Sequence, residues 1–325
     1  MSGHAPEITG ATRSVKSRGP DHPDEDSPLI NLTEITEIEL LIVRRMREMT
    51  IGDHRSLAHG SGFDYVGLRD WQSGDRFSTI DWAQSSLKNF SPLIVREFEQ
   101  PSTATVMVVA DASLSTRCGV RGVPIARGIA RGIATIGMSA VFFQDMFGLV
   151  TFDAGARHLS AVRARIGRNH VIHCLDAYQD RRRLQDVRQT DSLSMTIASF
   201  MRKTALVPFV SDFLFDDSET VIAELALLNT THDVFIVLVD AAFAFEMPKV
   251  SAGWIETVDV ETGRTRVMSR RALSAMAGRI REWQDDVTVR AREAGLDVVR
   301  IGAAAGVSEL ALSEFVAERR LKKVA

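Results

Sequence analysis

Short apolar runs alternate with longer amphipathic segments from residue 105 onward, and this alternation constrains the fold more than any other feature. The short runs predict strands, and the segments with apolar residues every three or four positions predict helices. Strands alternating with helices are typical of an α/β fold, here a doubly wound, mostly parallel sheet. A hairpin insertion is predicted near 254–268. The predicted strands are 105–110, 145–152, 206–210, 233–239 and 297–301, and the predicted helices are 124–140, 169–178, 192–203, 218–228, 271–294 and 308–320.

The residues before this region have a different composition. Residues 1–30 are rich in Pro, Ser, Gly and charged residues, which predicts a disordered tail. An amphipathic helix is predicted from Asn31, a helix-capping residue with Glu34 three positions later, to about Gly52. A strand is predicted at 93–98. We therefore divide the chain into the tail 1–30, an accessory helix and small β region at 31–100, and the α/β domain at 101–325.

One carboxylate and two hydroxyls directly follow the first predicted strand of the α/β domain. Asp111, Ser113 and Ser115 alternate with apolar residues, so their side chains can lie on one side of an extended chain. Ligands of open α/β sheets bind at the carboxyl ends of strands, and magnesium prefers oxygen ligands of this kind. The pattern therefore predicts a metal site. The alternative is that the three residues only cap the loop by contacting backbone amides.

A longer pattern precedes this motif. It comprises Gly60-Ser-Gly62-Phe-Asp64, Leu68-Arg69-Asp70-Trp71, Gly74-Asp75-Arg76, Ile80-Asp81-Trp82 and Leu93-Ile-Val95-Arg96-Glu97. Together with the aspartate-x-serine-x-serine motif, it resembles the bacterial family called domain of unknown function 58. The resemblance implies a von Willebrand factor type A domain, which is Rossmann-like, and association with MoxR-type AAA+ ATPases.

The resemblance also implies a metal-ion-dependent adhesion site built from three loops. Asp111, Ser113 and Ser115 match the first loop, Thr190 matches the threonine of the second, and Asp212 matches the aspartate of the third. In such sites these side chains hold a magnesium ion, with manganese or calcium as alternatives. A carboxylate of a partner protein fills the open coordination position.

Two further groups of charged residues have competing interpretations. Residues 69–96 alternate arginines and aspartates, which could form a second contact surface for a partner. The preferred interpretation is that Arg69 or Arg96 pairs with Asp75 or Asp81 inside the accessory region, since a guanidinium suits bidentate pairing. Residues 157–188 contain eight arginines, which could face RNA, a phosphate or an acidic partner. The preferred interpretation is a solvated helix end. His170 and His173 in this range suggest zinc, but a second ligand cluster is missing, so they are interpreted as ordinary surface or core histidines.

The composition and the absence of several motifs exclude some classes of function. A net charge of −3 argues against sequence-wide attraction to nucleic acid, and two cysteines are too few for a disulfide framework. No membrane span is predicted, and no phosphate-binding loop, nucleophile elbow or His-Glu-x-x-His motif is found. We therefore predict a non-enzymatic, cytoplasmic, metal-dependent protein-interaction adaptor that acts with a MoxR-type AAA+ ATPase on an unknown client. The alternatives are a metal-assisted hydrolase centred on Ser113 and Asp212, and a metal-free scaffold.

Overall fold

The computed structural model describes residues 28–322, except 53–63, 74, 76, 78–79, 100–102, 121–122, 154–157, 181–184, 187–191, 246–253, 259–264 and 303–306. The predicted disordered tail therefore lies outside the described residues, apart from residues 28–30. Contacts divide the chain into a smaller unit, Arg44–Thr103, and a larger unit formed by the residues on either side of it.

The helices and strands are numbered here in chain order. They are α1 Leu32–Gly52, β1 Asp64–Asp70, α2 Trp82–Leu87, β2 Ile94–Glu99, β3 Thr105–Asp111, β4 Gly119–Val120, β5 Val123–Pro124, α3 Ile125–Phe142, β6 Met146–Asp153, β7 His158–Arg165, α4 Arg168–Gln179, β8 Gln185–Asp186, α5 Leu193–Ala198, β9 Leu206–Ser211, α6 Ser218–Leu228, β10 Asp233–Val239, β11 Trp254–Val258, β12 Thr265–Ser269, α7 Arg270–Glu293, β13 Asp297–Ile301 and α8 Val307–Lys322.

The larger unit is built on a seven-stranded sheet with the order β13-β10-β9-β3-β6-β7-β8. The first five strands are parallel, whereas β7 and β8 are antiparallel to their neighbours. Strands β3, β9 and β10 are almost entirely buried, as expected for central strands covered on both faces. Helix α3 contacts α4 and α8, and α6 contacts α7. The predicted mixed α/β fold with a mostly parallel sheet is confirmed.

Helix α3, Ile125–Phe142, is mostly buried and packs closely against the sheet. Within the described residues it is the one helix with the length and hydropathy of a membrane span, and 83% of that window is buried inside the protein. A Cβ on Gly128 would lie 2.8 Å from a methyl of Val239, and one on Gly137 would lie 2.5 Å from a methyl of Val171. These two glycines therefore let α3 approach β10 and α4 closely.

Strand β7 was not anticipated from the sequence. Its buried residues Leu159 and Ala161 alternate with more exposed positions, and Arg163 and Arg165 lie at exposed positions. The interpretation of this range as a solvated helix end was wrong for residues 158–165. Helix α4 follows directly and matches its prediction.

Helix α5 is shorter than its predicted range of 192–203 and ends at Ala198. Ser192 accepts a hydrogen bond from Met195 N at its start, and the Ser199 hydroxyl donates to Thr196 O at 2.6 Å at its end. Local hydroxyl bonds of this kind compete with continuation of a helix, which accounts for the early end.

The first helix begins as predicted. Asn31 Oδ1 accepts from Glu34 N at 2.8 Å, and Glu34 Oε2 accepts from Asn31 N at 3.2 Å, which is a reciprocal capping box. The buried positions are Ile35, Ile38, Ile42 and Met46.

Ion pairs join the first part of α1 to other helices of the larger unit, to which it belongs. Glu34 pairs with Arg127 and Arg131 of α3, and Arg168 at the beginning of α4 donates to Glu39 at 2.8 Å. Leu29 N donates to Gln179 Oε1 at the end of α4, at 3.0 Å. The first part of α1 therefore runs antiparallel to α4.

The smaller unit contains the charged residues of the upstream pattern. Strands β1 and β2 pair antiparallel, and Arg69 binds Asp75 through two hydrogen bonds of 2.7 and 2.8 Å. The Arg69 guanidinium holds the pKa of Asp75 down to about 2. Arg96 donates to Asp81 at 2.9 Å, and Asp81 also caps α2 by accepting from Gln84 N. The preferred interpretation of internal ion pairs is confirmed for both arginines.

Candidate metal centre

Four adjacent parallel strands carry an aspartate at the same edge of the sheet. Strands β3 and β6 end in Asp111 and Asp153, while Asp212 and Asp240 directly follow β9 and β10. Three of these aspartates accept a hydrogen bond from the backbone N–H two residues later: Asp111 at 2.9 Å, Asp212 at 3.0 Å and Asp240 at 2.9 Å. The carboxyl edge of the sheet therefore concentrates negative charge where ligands of such sheets bind.

Asp111 lies at the centre of this edge and is 1% exposed. Its Oδ2 accepts from the Ser211 hydroxyl at 2.8 Å, and its main-chain carbonyl accepts from the Tyr178 hydroxyl at 2.7 Å. Burial raises the pKa of Asp111, and the nearby charge of Asp153 acts in the same direction. The ionised carboxylate is therefore costly here unless a cation lies beside it.

The two serines of the motif are close together and partly exposed. Ser113 Oγ and Ser115 Oγ lie 2.9 Å apart, and the Ser113 hydroxyl also contacts the Asp111 carboxyl group. Ser113 precedes a short 3-10 helix, Leu114–Arg117, but its side chain makes no capping hydrogen bond to it. The backbone-cap alternative accounts for Asp111 Oδ1, whereas the two hydroxyls contact each other and that of Ser113 also contacts the Asp111 carboxyl group.

Asp212 has the least satisfied carboxylate of the site. Leu214 N donates to its Oδ1, whereas its Oδ2 is buried and has no hydrogen-bond partner. Burial, followed by the charge of Asp111, raises the pKa of Asp212 to about 7. Buried polar atoms in native proteins almost always have a hydrogen-bond partner or a bound ion. A cation bound next to this oxygen would supply the missing partner.

Helix α7 fixes the loop that carries Asp212. Gln284 is 3% exposed, and its Nε2 donates both to Asp212 O at 2.9 Å and to Val239 O at 2.8 Å. Trp283 Nε1 donates to Phe213 O at 2.8 Å. The two main-chain carbonyls after β9 are thereby tied to one helix, which restricts where the carboxylate can move.

These positions fit a magnesium site of mixed oxygen ligands. Within the described part of the chain, no three His, Cys, Asp or Glu side chains converge on one point, so a site cannot be built from such residues alone. Magnesium needs few protein ligands because it keeps several waters, and two carboxylates with two hydroxyls meet that requirement. The structure brings Asp111, Ser113 and Ser115 together and places Asp212 within electrostatic reach of Asp111. Thr190 lies outside the described residues.

Sequence reasoning missed several contributors to this region. Asp153 and Ser211 were identifiable in principle, because each lies at the end of a buried apolar run. Tyr178 and Gln284 gave no signal, since each reaches an aspartate loop from a helix far away in sequence.

The histidine pair makes local contacts in and next to α4. His170 Nε2 lies 3.0 Å from the main-chain oxygen of Arg163, and burial lowers the pKa of this histidine. Cys174 is buried, which raises the pKa of its thiol to about 12. These contacts agree with ordinary structural roles.

Removing the Tyr178 hydroxyl gives a first test of how the site is held. In Tyr178→Phe, the carbonyl of Asp111 loses its buried donor, so we expect the free energy of unfolding to fall by about 1–3 kcal/mol. Urea titration followed by tryptophan fluorescence measures this change. An unchanged unfolding midpoint would show that this hydrogen bond does not support the first loop.

This chain has weak structural similarity to known proteins and a clear family match. Two solved structures from Streptococcus sanguinis, the PilB minor pilin and a point mutant of it, have TM-scores of 0.31 and identities of 13% and 14%. They align with 71% and 72% of this chain, which covers 64% and 65% of theirs, less than two thirds in each case. No curated protein matches the sequence. Residues 67–284 match the family described as protein of unknown function DUF58. Because that match spans more than half of the chain, the protein belongs to the DUF58 family.

Proposed function

We propose that this protein is a metal-dependent protein-interaction adaptor with a von Willebrand factor type A fold. The observation that carries the proposal is the buried Asp212 Oδ2, which has no hydrogen-bond partner beside a second buried carboxylate. A divalent cation satisfies both carboxylates at once and removes their mutual repulsion.

In this proposal the ligands are the oxygen-bearing side chains of three loops. Asp111, Ser113, Ser115 and Asp212 would hold magnesium directly or through water, with manganese or calcium as substitutes and Thr190 as the ligand of the second loop. A bound cation of this kind supplies a localised positive charge that an Asp or Glu of a partner protein can ligate. Leu114, which is 50% exposed between the two serines, offers an apolar contact next to that charge.

Family resemblance supplies the partner in this proposal. We propose that a MoxR-type AAA+ ATPase in the cytoplasm works with this chain to remodel or activate a client protein. The adaptor's own residues bind and orient the partner, and the ATPase provides the energy.

A binding assay with a matched aspartate control tests the adaptor. The chain is used to capture the MoxR-type ATPase of the same organism with magnesium or with EDTA. We expect capture to fall about 10- to 100-fold with EDTA and in Asp111→Ala, because both remove the cation. Asp240→Asn is the control, since Asp240 makes the same local hydrogen bond at the next strand but is exposed. Capture that is indifferent to EDTA and to Asp111→Ala would exclude the metal mechanism and favour a metal-free scaffold.

A further inference from the structure

Strand β7 and helix α4 meet at a corner that carries several basic side chains. Arg163 and Arg165 at the end of β7 are exposed, and Ile166 directly after them is 58% exposed. The main-chain oxygen of Arg163 lies 3.0 Å from His170 Nε2, and the His170 ring lies 6.1 Å from the ring of the exposed His173. We call these residues, Arg163, Arg165, Ile166, His170 and His173, the basic corner.

The two arginines of the basic corner have no carboxylate close by in the sequence. Residues 154–175 contain no aspartate or glutamate. Arg168, the next arginine along the chain, donates to Glu39 at 2.8 Å, whereas no described carboxylate forms an ion pair with Arg163 or Arg165. Two neighbouring guanidinium groups without a counter-charge repel each other, so a bound anionic group would lower the free energy of this surface.

The basic corner and the candidate metal centre lie at opposite edges of the sheet. Strand β7 is antiparallel to β6, and Arg165 pairs with Phe147 near the beginning of β6, whereas Asp153 ends that strand at the edge with the metal centre. At about 3.3 Å per residue, Phe147 and Asp153 lie about 20 Å apart along β6. Partners bound at the two edges can therefore be held at the same time.

The side chains of the basic corner fit an acidic protein segment better than a nucleic acid. Guanidinium groups bind carboxylates through paired hydrogen bonds, and the exposed Ile166 beside them offers an apolar contact that a protein side chain can cover. Residues 154–173 contain no phenylalanine, tyrosine or tryptophan on which bases could stack. The net charge of −3 also argues against a phosphate backbone as the ligand.

We propose that the basic corner is a second docking surface of this protein, which binds an acidic segment of a partner protein. Arg163 and Arg165 bind carboxylates of that segment, and Ile166 contacts an apolar side chain between them. No cation takes part, so the inference does not rest on the metal centre in the proposed function. An adaptor that uses both edges holds two proteins at once, one through the cation and one through the basic corner.

A peptide-binding experiment with matched arginine variants tests the basic corner. The probe is a fluorescein-labelled peptide of repeated Gly-Glu-Leu-Glu units, added in EDTA at low salt and followed by anisotropy. The double variant Arg163→Gln and Arg165→Gln is compared with Arg271→Gln and Arg279→Gln, which removes two exposed arginines from α7 at the other end of the sheet. We expect Kd to rise about tenfold in the first variant and to change less than about twofold in the second. Equal affinities of the wild type and both variants, or equal losses in the two variants, would overturn the inference.

Two further measurements test the class of partner. Ile166→Ser removes the apolar contact and keeps the charge, so we expect it to weaken peptide binding about threefold. A thymidine oligonucleotide of similar charge should bind the wild type more weakly than the peptide does. Either tighter binding of the oligonucleotide or unchanged peptide binding in Ile166→Ser would contradict a protein segment as the ligand.

The role of magnesium separates this inference from the proposed metal centre. Because the basic corner uses no cation, we expect the wild type to bind the peptide fully in EDTA. Binding that requires magnesium and is lost in Asp111→Ala would place the peptide at the metal centre, which supports the proposed function and overturns this inference. If the peptide binds in EDTA through Arg163 and Arg165, while capture of the ATPase is indifferent to EDTA and to Asp111→Ala, the basic corner is supported and the metal mechanism fails.

Discussion

Asp212→Asn is expected to stabilise the metal-free protein above pH 7. Burial and the charge of Asp111 raise the pKa of Asp212 to about 7, against an ordinary value of 3.8 in the unfolded chain. Between about pH 3.8 and pH 7 the folded state binds more protons than the unfolded state. The free energy of unfolding therefore falls as the pH rises through this range. This loss of unfolding free energy is complete above about pH 7 and is on the order of 4 kcal/mol. Asparagine does not ionise, and the variant should lack this loss.

Urea unfolding between pH 4 and pH 8.5 in EDTA measures the effect. The wild type should lose stability across this range, whereas Asp212→Asn should follow a flatter curve and Asp240→Asn should follow the wild type. Excess magnesium at pH 8 should restore stability to the wild type and leave Asp212→Asn unchanged, because binding to the folded state alone stabilises it. Parallel pH curves for the wild type and Asp212→Asn would contradict the assignment of a strained carboxylate at this position.

Arg320→Met is expected to lower the free energy of unfolding by about 3–5 kcal/mol, because it leaves a buried carboxylate without its counter-charge. The Asp145 side chain is 1% exposed and Arg320 is 12% exposed. Arg320 Nε and Nη2 donate to the two oxygens of Asp145 at 2.8 and 3.1 Å. Ala104 N also donates to Asp145, so this carboxylate joins the beginnings of β3 and β6 to α8.

Arg300→Met is the matched control for this change. Arg300 pairs with Asp285 at 2.5 Å, but the two side chains are 46% and 64% exposed. Exposed pairs contribute little, so we expect this variant to lose less than about 1 kcal/mol. Chemical denaturation of both variants at one pH gives the comparison. Similar losses in Arg320→Met and Arg300→Met would mean that burial does not determine the strength of these ion pairs.

The parts of the fold that the sequence predicted are those with strong local signals. The ranges of α6 and β10 match their predictions fully, because each is a continuous apolar or amphipathic run between clear breaks. Strand β7 escaped prediction because its register shifts between Val162 and Arg165, so the buried Leu159 and Ala161 and the exposed arginines do not follow one continuous period of two. Strand β1 was missed since it follows a Gly- and Ser-rich stretch and contains Gly67.

The candidate site likewise has residues that the sequence predicted and contacts that it did not. Asp111, Ser113 and Asp212 were predictable because each lies at or shortly after the end of a buried strand, and parallel strands bring their carboxyl ends to one edge. The hydrogen bonds from Tyr178 and Gln284 join residues 67 and 72 positions apart, and no local pattern encodes them. The same holds for the unpaired oxygen of Asp212, because satisfaction of a buried atom depends on the whole packed environment.

The attachment of the first helix has a consequence for biosynthesis. Glu39 precedes its partner Arg168 by 129 residues, and Glu34 precedes Arg127 by 93. A ribosome adds residues one after another, so the apolar face of α1 leaves the exit tunnel long before α3 and α4 exist to cover it. Until then Ile35, Ile38 and Ile42 form an uncovered apolar surface, which is the kind of surface that promotes aggregation during synthesis.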